Sequence, residues 1–281
     1  MEVLVAQKAG FCYGVKRALS LAYEALKEGQ EPLYSLGPLI HNPQVVKDLE
    51  GNGLKIIEDM SQIKKGALVI RSHGAPASVF TEAQNKKINI LDATCPTVKK
   101  VQEYAEFLRE EGYQVIIIGD KEHPEVKVIE EYAGKNSIVI RDKTEISQHI
   151  IQERIGVVAQ TTQPGANFLS ALSELLKIAK EIKVFNTLCT STEARYKESV
   201  ELARKVDVML VIGGRASANT AHLTHLCRQE QPHTFQIEAA DDIEIPWLDG
   251  KKTIGITAGA STPYWLIEDI REKLLSKFDG Q

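Results

Sequence analysis

Residues 3–22 read VLVAQKAGFCYGVKRALSLA, an apolar strand-like run that reaches Cys12 and continues as a helical run. The same switch recurs in residues 88–105, INILDATCPTVKKVQEYA, and in residues 182–203, IKVFNTLCTSTEARYKESVELA. Cys12, Cys95 and Cys189 therefore mark an internal repeat of about one third of the chain. Thiols at matching positions of three similar units can meet at one centre. Three thiol ligands and one open coordination position are more typical of a catalytic metal site than of a structural one.

Two further polar loops recur with the cysteines. In the first, an apolar run ends in glycine and a polar residue follows four positions later, which gives the pairs Gly37 and His41, Gly119 and His123, and Gly213 and Ser217. In the second, an apolar run leads to a short polar loop and a proline, and the polar residues are His73, Thr161 with Thr162, and Ser261. His73 and Thr161 both lie three residues before their proline, which pairs them. The match of Ser261 is looser.

The alternation of short apolar runs with amphipathic stretches predicts an α/β fold of three similar lobes with parallel-type sheets. Boundaries near the second and third cysteines give lobes 1–94, 95–188 and 189–281, the last with a C-terminal helix. No low-complexity linker separates the lobes, so we expect them to pack around a pseudo-threefold axis. Ligands of open parallel sheets bind at the carboxyl ends of the strands. The three loop classes lie there and are expected to face one central cavity.

Composition narrows the functional class. The net charge of −4 argues against a nucleic-acid-binding protein, which usually carries a basic stripe. No apolar run has the length of a membrane span, and MEVLVAQKAG lacks the features of a secretory signal. Four cysteines then indicate a reducing cytosol, where thiols more often bind metals or act in catalysis than form disulfides. Cys227, in HLTHLCRQ, is predicted to be an ordinary core residue.

The recurring polar side chains suit an anionic ligand. Each one alone is more often a turn former or a helix cap, but recurrence in three repeats favours a function. Imidazole, hydroxyl and amide groups together suit a diphosphate held by many hydrogen bonds, and the absence of a GxxxxGK[ST] loop excludes the usual nucleoside triphosphatase route. The candidate donors are His41, His73, His123, Thr161, Thr162, Ser217, Asn219 and Ser261.

Glu125, in His-Pro-Glu, is the candidate acid of these loops. A carboxyl group beside a metal cavity can act as a general acid. A glutamate in the first turn of a helix also interacts favourably with the helix dipole, without any catalytic role. Position alone does not separate the two interpretations. The neighbouring His123, Thr161 and Thr162 favour proton delivery.

The three thiols fit either an iron–sulfur cluster with one open iron or a zinc site with three cysteine ligands. Each cysteine opens a helix, where free N–H groups and a partial positive charge stabilise a thiolate. There is no C-x-x-C pair, so the centre would be assembled by the fold. The basic residues that follow two of the cysteines either add to this field or form a solvated face; they are Lys16, Arg17, Lys99 and Lys100.

The assembled motifs resemble the LytB-type 4-hydroxy-3-methylbut-2-enyl diphosphate reductases, an iron–sulfur enzyme family. The resemblance extends from Cys12 to Ser261, nearly the whole chain. The motifs are individually weak and jointly specific. They are GFCYGVKRA (10–18), LIHNPQV (39–45), SHG (72–74), DATCP (92–96), HPE (123–125), QTT (160–162), C-x-x-T-x-x-R (189–195) and S-x-N (217–219).

The resemblance implies a three-lobed trefoil around a [4Fe–4S] cluster held by Cys12, Cys95 and Cys189, with one iron not bound by protein. It implies Glu125 as proton donor, with Thr161 as a relay to the allylic hydroxyl of the substrate. Reduction would give isopentenyl and dimethylallyl diphosphates, the last step of the non-mevalonate isoprenoid pathway, with reduced ferredoxin or flavodoxin as electron donor. The implied diphosphate ligands are His41, His73, His123, Thr161, Ser217, Asn219 and Ser261.

One position departs from the family pattern, which has Ser-Ser-Asn where this chain has Ser217-Ala218-Asn219. Either the backbone N–H of Ala218 replaces the lost hydroxyl, or one hydrogen bond to the substrate is missing, so we expect weaker substrate binding at most and no loss of activity. Two alternatives remain open from the residues alone. The same thiols could serve a zinc-dependent hydrolase, or the protein could be a non-catalytic iron–sulfur redox sensor.

Overall fold

A computed structural model describes residues 2–29, 32–215 and 217–278, and within these the chain forms three separate four-stranded sheets. Every strand pairing is parallel. The strands are β1 (Glu2–Val5), β2 (Leu33–Leu36), β3 (Lys55–Ile57), β4 (Ala67–Ile70), β5 (Asn89–Asp92), β6 (Gln114–Ile118), β7 (Ile138–Ile140), β8 (Arg154–Ala159), β9 (Glu181–Val184), β10 (Val208–Ile212), β11 (Thr234–Ile237) and β12 (Thr253–Ala258).

Helices connect the strands throughout, and the predicted α/β class with three lobes of parallel sheet is confirmed. Short 3₁₀ helices follow the second strand of each repeat, at Met60–Gln62, Lys143–Gln148 and Ala240–Asp242, and a fourth covers Ile245–Trp247. The α-helices of the described residues are α1 (Tyr13–Lys27), α2 (Pro43–Gly51), α3 (Ala77–Asn85), α4 (Pro96–Glu110), α5 (Pro124–Ala133), α6 (Gly165–Leu175), α7 (Thr190–Ala203), α8 (Ala218–Glu230) and α9 (Tyr264–Phe278).

The three sheets share one strand order, and this order shows which strands belong to each structural repeat. The orders are β3-β2-β4-β5, β7-β6-β8-β9 and β11-β10-β12-β1. The first strand of the chain thus lies in the third sheet, where Val3 pairs with Ile254, at the edge position that β5 and β9 occupy in their sheets. Each cysteine follows such an edge strand. The lobe boundaries 1–94, 95–188 and 189–281 stay a prediction, although β1 falls in the third sheet.

The central strands are mostly apolar because helices cover both faces of a parallel sheet. Every residue of β4, β6 and β10 is buried. In the second sheet, Val115 and Ile117 join the core beneath α4 and α5, whereas Ile116 and Ile118 join the core beneath α6. The loops that carry the candidate site residues begin where these rigid strands end, so the strands fix their positions.

The chain divides into two compact units. One unit comprises residues 1–16, 40–51 and 190–281 and contains the third sheet; the other comprises residues 17–39 and 52–189 and contains the first two sheets. Across the described residues, no helix is both long and apolar enough for a membrane span.

Truncation of a core side chain tests the packing of the second sheet. We expect Ile117→Ala to lower the free energy of unfolding by about 2–5 kcal/mol, because the fully buried side chain leaves a cavity. Ile150→Ala is the control: this isoleucine is 88% exposed, so its loss should change the free energy by no more than about 0.5 kcal/mol. Urea denaturation measures both variants, and equal effects would contradict this packing.

Candidate active site

Each of the three cysteines is held by the same backbone hydrogen bond. The N–H of Cys95 donates to the carbonyl of Ser72 (3.0 Å), and that of Cys189 to the carbonyl of Thr161 (2.8 Å). The N–H of Cys12 donates to the carbonyl of Ala260 (3.1 Å). Each acceptor lies in the proline-containing loop two residues beyond a central strand. All three cysteines are partly exposed, are in no disulfide and stand at the start of a helix, as predicted.

This hydrogen bond also corrects the alignment of the proline-containing loops. Ser72, Thr161 and Ala260 are the equivalent residues, so His73 corresponds to Thr162 and to Ser261. The pairing of His73 with Thr161, made by counting back from the proline, is wrong by one residue. The register is set by the strands, and the first loop has one residue more between its strand and its proline.

The glycine loops align as predicted. The N–H groups of Gly37, Gly119 and Gly213 donate to the carbonyls of Ile57, Ile140 and Ile237, each over 2.9 Å. The strand that accepts is in every case the outer neighbour of the glycine's own strand. These loops therefore start from the same point in each lobe.

The residue four positions after each glycine has a structural role in two lobes. His123 caps α5, where its Nδ1 accepts from the N–H of Glu125 (3.1 Å), and Ser217 caps α8. In the first lobe the cap is Asn42, whose Oδ1 accepts from the N–H of Val45 (3.0 Å). His41 thus lies one residue outside its helix. The Asn-Pro pair was the available signal, because asparagine is a good cap and proline is favoured at the first helical position.

In the second unit, a continuous chain of contacts joins two of the cysteines through the predicted site residues. Thr161, whose carbonyl holds Cys189, donates from its N–H to Oε1 of Glu125 (2.6 Å) and from its hydroxyl to Oε2 (3.0 Å). Glu125 in turn donates from its backbone to the ring of His123. That ring meets the ring of His73 edge-on, with centroids 5.4 Å apart. His73 directly follows Ser72, whose carbonyl holds Cys95.

Glu125 is the most perturbed group of this chain of contacts. Its side chain is 2% exposed, and burial raises its pKa from 4.5 to about 7, while the two hydrogen bonds from Thr161 oppose the rise. Desolvation wins because a carboxylate loses more hydration than two donors return. A group with a pKa of about 7 is partly protonated at neutral pH and can release its proton, which is what a general acid requires.

In the first unit, the loop after β12 is tied to the cysteine loop and to α8. Ala260 holds Cys12, and the neighbouring Ser261 donates from its hydroxyl to the carbonyl of His41 (3.0 Å). The Thr220 hydroxyl lies so close to Gly213 and Gly259 that a Cβ at either position would come within 2.7 Å and 2.6 Å of it. Glycine at both ends of the loop pair is therefore required for this packing.

At the start of α8, donors of the protein occupy the acceptor oxygens of Ser217 and Asn219, and their donor hydrogens remain available. Oγ of Ser217 accepts from the N–H of Thr220 (3.3 Å) and from its hydroxyl (3.1 Å), which leaves the Ser217 hydrogen for another partner. Oδ1 of Asn219 accepts from the hydroxyl of Tyr196 (2.6 Å), so its amide nitrogen remains. Donors without acceptors suit an anion.

Two arginines hold the backbone just ahead of a cysteine. Arg17 donates to the carbonyls of Asp92 (3.0 Å) and Thr94 (3.1 Å), directly before Cys95. Arg195, which is buried, donates to the carbonyls of Lys8 (2.8 Å) and Gly10 (2.6 Å), ahead of Cys12.

Of the four basic residues left open by the sequence, Arg17 is thus structural, and Lys99 forms an ion pair with Asp92 (3.4 Å). No local pattern predicted the contacts of Arg17, because its partners lie more than seventy residues away in the chain.

The donor set can hold a metal centre with soft ligands. Cys12, Cys95 and Cys189 are partly exposed, whereas Cys227 is fully buried, and burial raises the pKa of its thiol to about 12. Cys12, Cys95 and Cys189 are therefore the candidate metal ligands among the described cysteines. Soft sulfur ligands select zinc or iron–sulfur clusters, and a centre shared by these three cysteines stays a prediction.

A family model described as LytB protein matches residues 3–275. The chain belongs to the LytB family. It is 47% identical to the 4-hydroxy-3-methylbut-2-enyl diphosphate reductase of Pelobacter propionicus over 98% of both chains, and 46% identical to that of Geobacter metallireducens over 98% of this chain and 97% of the relative.

Two solved structures have the same fold. One is a structure of (E)-4-hydroxy-3-methyl-but-2-enyl diphosphate reductase, described as the terminal enzyme of the non-mevalonate pathway. It is 41% identical, has a TM-score of 0.76 and matches 98% of this chain and 100% of its own. The other is the E-1-hydroxy-2-methyl-but-2-enyl-4-diphosphate reductase of Plasmodium falciparum. It is 26% identical, with a TM-score of 0.89 over 98% of this chain and 87% of its own.

The buried acid predicts a dependence of stability on pH. The pKa of Glu125 is raised in the folded state, so its contribution is fully present below about pH 4.5 and is lost as pH rises to about 7. At pH 8 we expect Glu125→Gln to be more stable than the wild type by up to about 3 kcal/mol, and at pH 4.5 to show no such advantage. Denaturation of both proteins at the two pH values measures this. An advantage independent of pH would contradict the raised pKa.

Proposed function

We propose that this protein is a 4-hydroxy-3-methylbut-2-enyl diphosphate reductase that supplies isopentenyl and dimethylallyl diphosphates for isoprenoid synthesis. The allylic C–O bond breaks, two electrons and two protons enter, and the oxygen leaves as water. The observation that carries the proposal is the buried Glu125, protonated near neutrality and bonded to Thr161, beside a cysteine loop in a chain of the LytB family.

The cofactor that fits is a [4Fe–4S] cluster held by Cys12, Cys95 and Cys189, with one iron not bound by protein. When bound, it supplies single electrons and a Lewis-acidic iron for the substrate hydroxyl. The donor set supports this assignment, because three accessible thiols stand at helix starts and the fourth thiol is unsuited. Reduced ferredoxin or flavodoxin is the proposed electron donor, and cysteines outside any disulfide agree with a reducing cytosol.

The substrate diphosphate is assigned to the recurring donors. Ser217 and Asn219 can donate hydrogen bonds to the diphosphate, because donors of the protein already bind their acceptor oxygens. The Ser261 hydroxyl donates to the carbonyl of His41, so it must rotate before it can donate to a phosphate oxygen. The full proposed set is His41, His73, His123, Thr161, Ser217, Asn219 and Ser261.

Proton delivery follows from the hydrogen bonds of Glu125. With the carboxylate ionised, the Thr161 hydroxyl donates to Oε2. When the carboxyl group is protonated, this bond can reverse, so that Glu125 donates to Thr161 and the threonine hydroxyl donates onward. Thr161 therefore connects the buried acid with the leaving oxygen. Its backbone N–H keeps its bond to Oε1 in either state and holds the carboxyl group in place.

Anaerobically purified protein tests the cofactor and the reaction together. We expect a brown protein with about four irons and four sulfides per chain that turns over hydroxymethylbutenyl diphosphate with a reductant. Cys12→Ser, Cys95→Ser and Cys189→Ser should each lose iron, whereas Cys227→Ser should retain it. Zinc in place of iron would indicate a hydrolase. A cluster without turnover would indicate a redox sensor.

Replacement of the proposed acid separates catalysis from assembly. Glu125→Gln should lower kcat by about 10²–10⁴-fold, the usual contribution of a general acid, and leave the iron content and visible spectrum unchanged. Glutamine can still accept from Thr161, so the local structure should survive. Glu131→Gln, an exposed position on the same helix, is the control and should retain activity. A Glu125→Gln variant with normal turnover would refute the assignment.

The departure at Ala218 predicts a gain from restoring serine. Ala218 is exposed and begins α8 between Ser217 and Asn219, so a hydroxyl fits there without displacing a neighbour. We expect Ala218→Ser to lower KM about fivefold, the equivalent of one hydrogen bond of about 1 kcal/mol, with kcat unchanged. Ala221→Ser, an exposed position one turn further along α8, should leave KM unaltered. An unchanged KM for Ala218→Ser would show that the lost serine has no role in binding.

A further inference from the structure

Tyr196 is a buried residue of α7 whose side chain ends at the proposed diphosphate ligands. Its hydroxyl donates to Oδ1 of Asn219, the second residue of α8, over 2.6 Å. Its ring is packed edge-on against His222, with centroids 5.1 Å apart. Both contacts are to α8, so the ring is fixed and its hydroxyl reaches the amide of Asn219 in a defined direction.

An asparagine amide is ambiguous as a ligand for an anion. One end is an acceptor and the other carries two donor hydrogens, and the two ends have nearly the same shape. A half-turn of the side chain would present Oδ1 to a phosphate oxygen, which is repulsive. Asn219 Nδ2 has no acceptor among the described residues, so the hydrogen bond from Tyr196 is what distinguishes the two orientations.

We propose that Tyr196 is a positioning residue that orients the Asn219 amide so that its nitrogen, not its oxygen, faces the substrate diphosphate. This inference rests on the proposed function, because it takes Asn219 as a diphosphate ligand. In this role Tyr196 acts on the substrate only through Asn219. It acts as Thr220 does for Ser217, where two donors occupy the serine oxygen and leave its hydrogen for the ligand.

The local sequence contains no signal for this role. Tyr196 and Asn219 lie 23 residues apart on different helices, and the tyrosine follows Arg195, which serves the cysteine loop. The two neighbours on α7 thus support two different parts of the site. Tyr196→Phe removes the hydroxyl and keeps the ring, so the contact with His222 and the packing of the helices survive.

The test uses the anaerobic, cluster-loaded enzyme and inorganic diphosphate as the probe. We expect Tyr196→Phe to weaken diphosphate binding about fivefold in calorimetry and to raise KM by a similar factor. The value of kcat should stay within about twofold, because the reacting groups are untouched. Asn219→Ala should weaken binding at least as much. In the Asn219→Ala background, Tyr196→Phe should have no further effect on binding.

Tyr113→Phe is the matched control, since its hydroxyl donates to Oε1 of Glu181 over 2.5 Å and this pair has no assigned role at the site. It should lower the thermal midpoint without changing diphosphate affinity. Tyr196→Phe with unchanged affinity, or with an equal loss in the Asn219→Ala background, would overturn the positioning role and leave the reductase proposal intact. If Asn219→Ala binds normally, the Asn219 assignment and the role of Tyr196 both fail. A wild-type enzyme that binds diphosphate but turns over no substrate would count against the proposed function alone.

Discussion

The bond from each cysteine N–H to the carbonyl of a neighbouring strand-end loop is the constraint on which the rest of the site depends. A central strand of a parallel sheet is rigid because helices cover both of its faces. Two residues beyond that strand, a carbonyl accepts from the cysteine, so the thiol is located by the sheet core and not by its own flexible loop. The bond also places the residue after the acceptor, which is His73, Thr162 or Ser261, beside the cysteine loop.

Burial then determines what the polar residues can do. Glu125 is buried and receives two hydrogen bonds from Thr161, and desolvation outweighs those donors, so its pKa is raised to about 7. At the start of α8 the polar groups are arranged to donate hydrogen bonds to a ligand. There, protein donors occupy the acceptor atoms of Ser217 and Asn219, so only hydrogens remain for a ligand. In the proposed reductase, the first region would give a proton and the second would hold the diphosphate.

Stability and function compete at Glu125. A carboxyl group with a raised pKa destabilises the folded protein at the pH where it would act, because ionisation without solvent is unfavourable. Glutamine would relieve this cost and remove the proton. The arginines that brace the cysteine loops belong to the same pattern. Arg195 is buried, and its guanidinium group donates to two backbone carbonyls ahead of Cys12. These bonds hold the backbone before Cys12 in place, although a buried charged group costs more free energy than an apolar side chain would.

The sequence repeat by itself predicted the α/β class, the place of the three cysteines between a strand and a helix, and the alignment of Gly37, Gly119 and Gly213. It could do so because strand ends and helix starts depend on residues that are close together in the chain. It failed at the proline-containing loops, where counting from a proline misplaced His73 by one residue. Only the tertiary structure decided that β1 completes the third sheet, that Arg17 and Arg195 bind backbone carbonyls ahead of two cysteines, and that Tyr196 contacts Asn219. Those contacts join residues distant in sequence, and hydrogen bonds of that kind leave no local pattern.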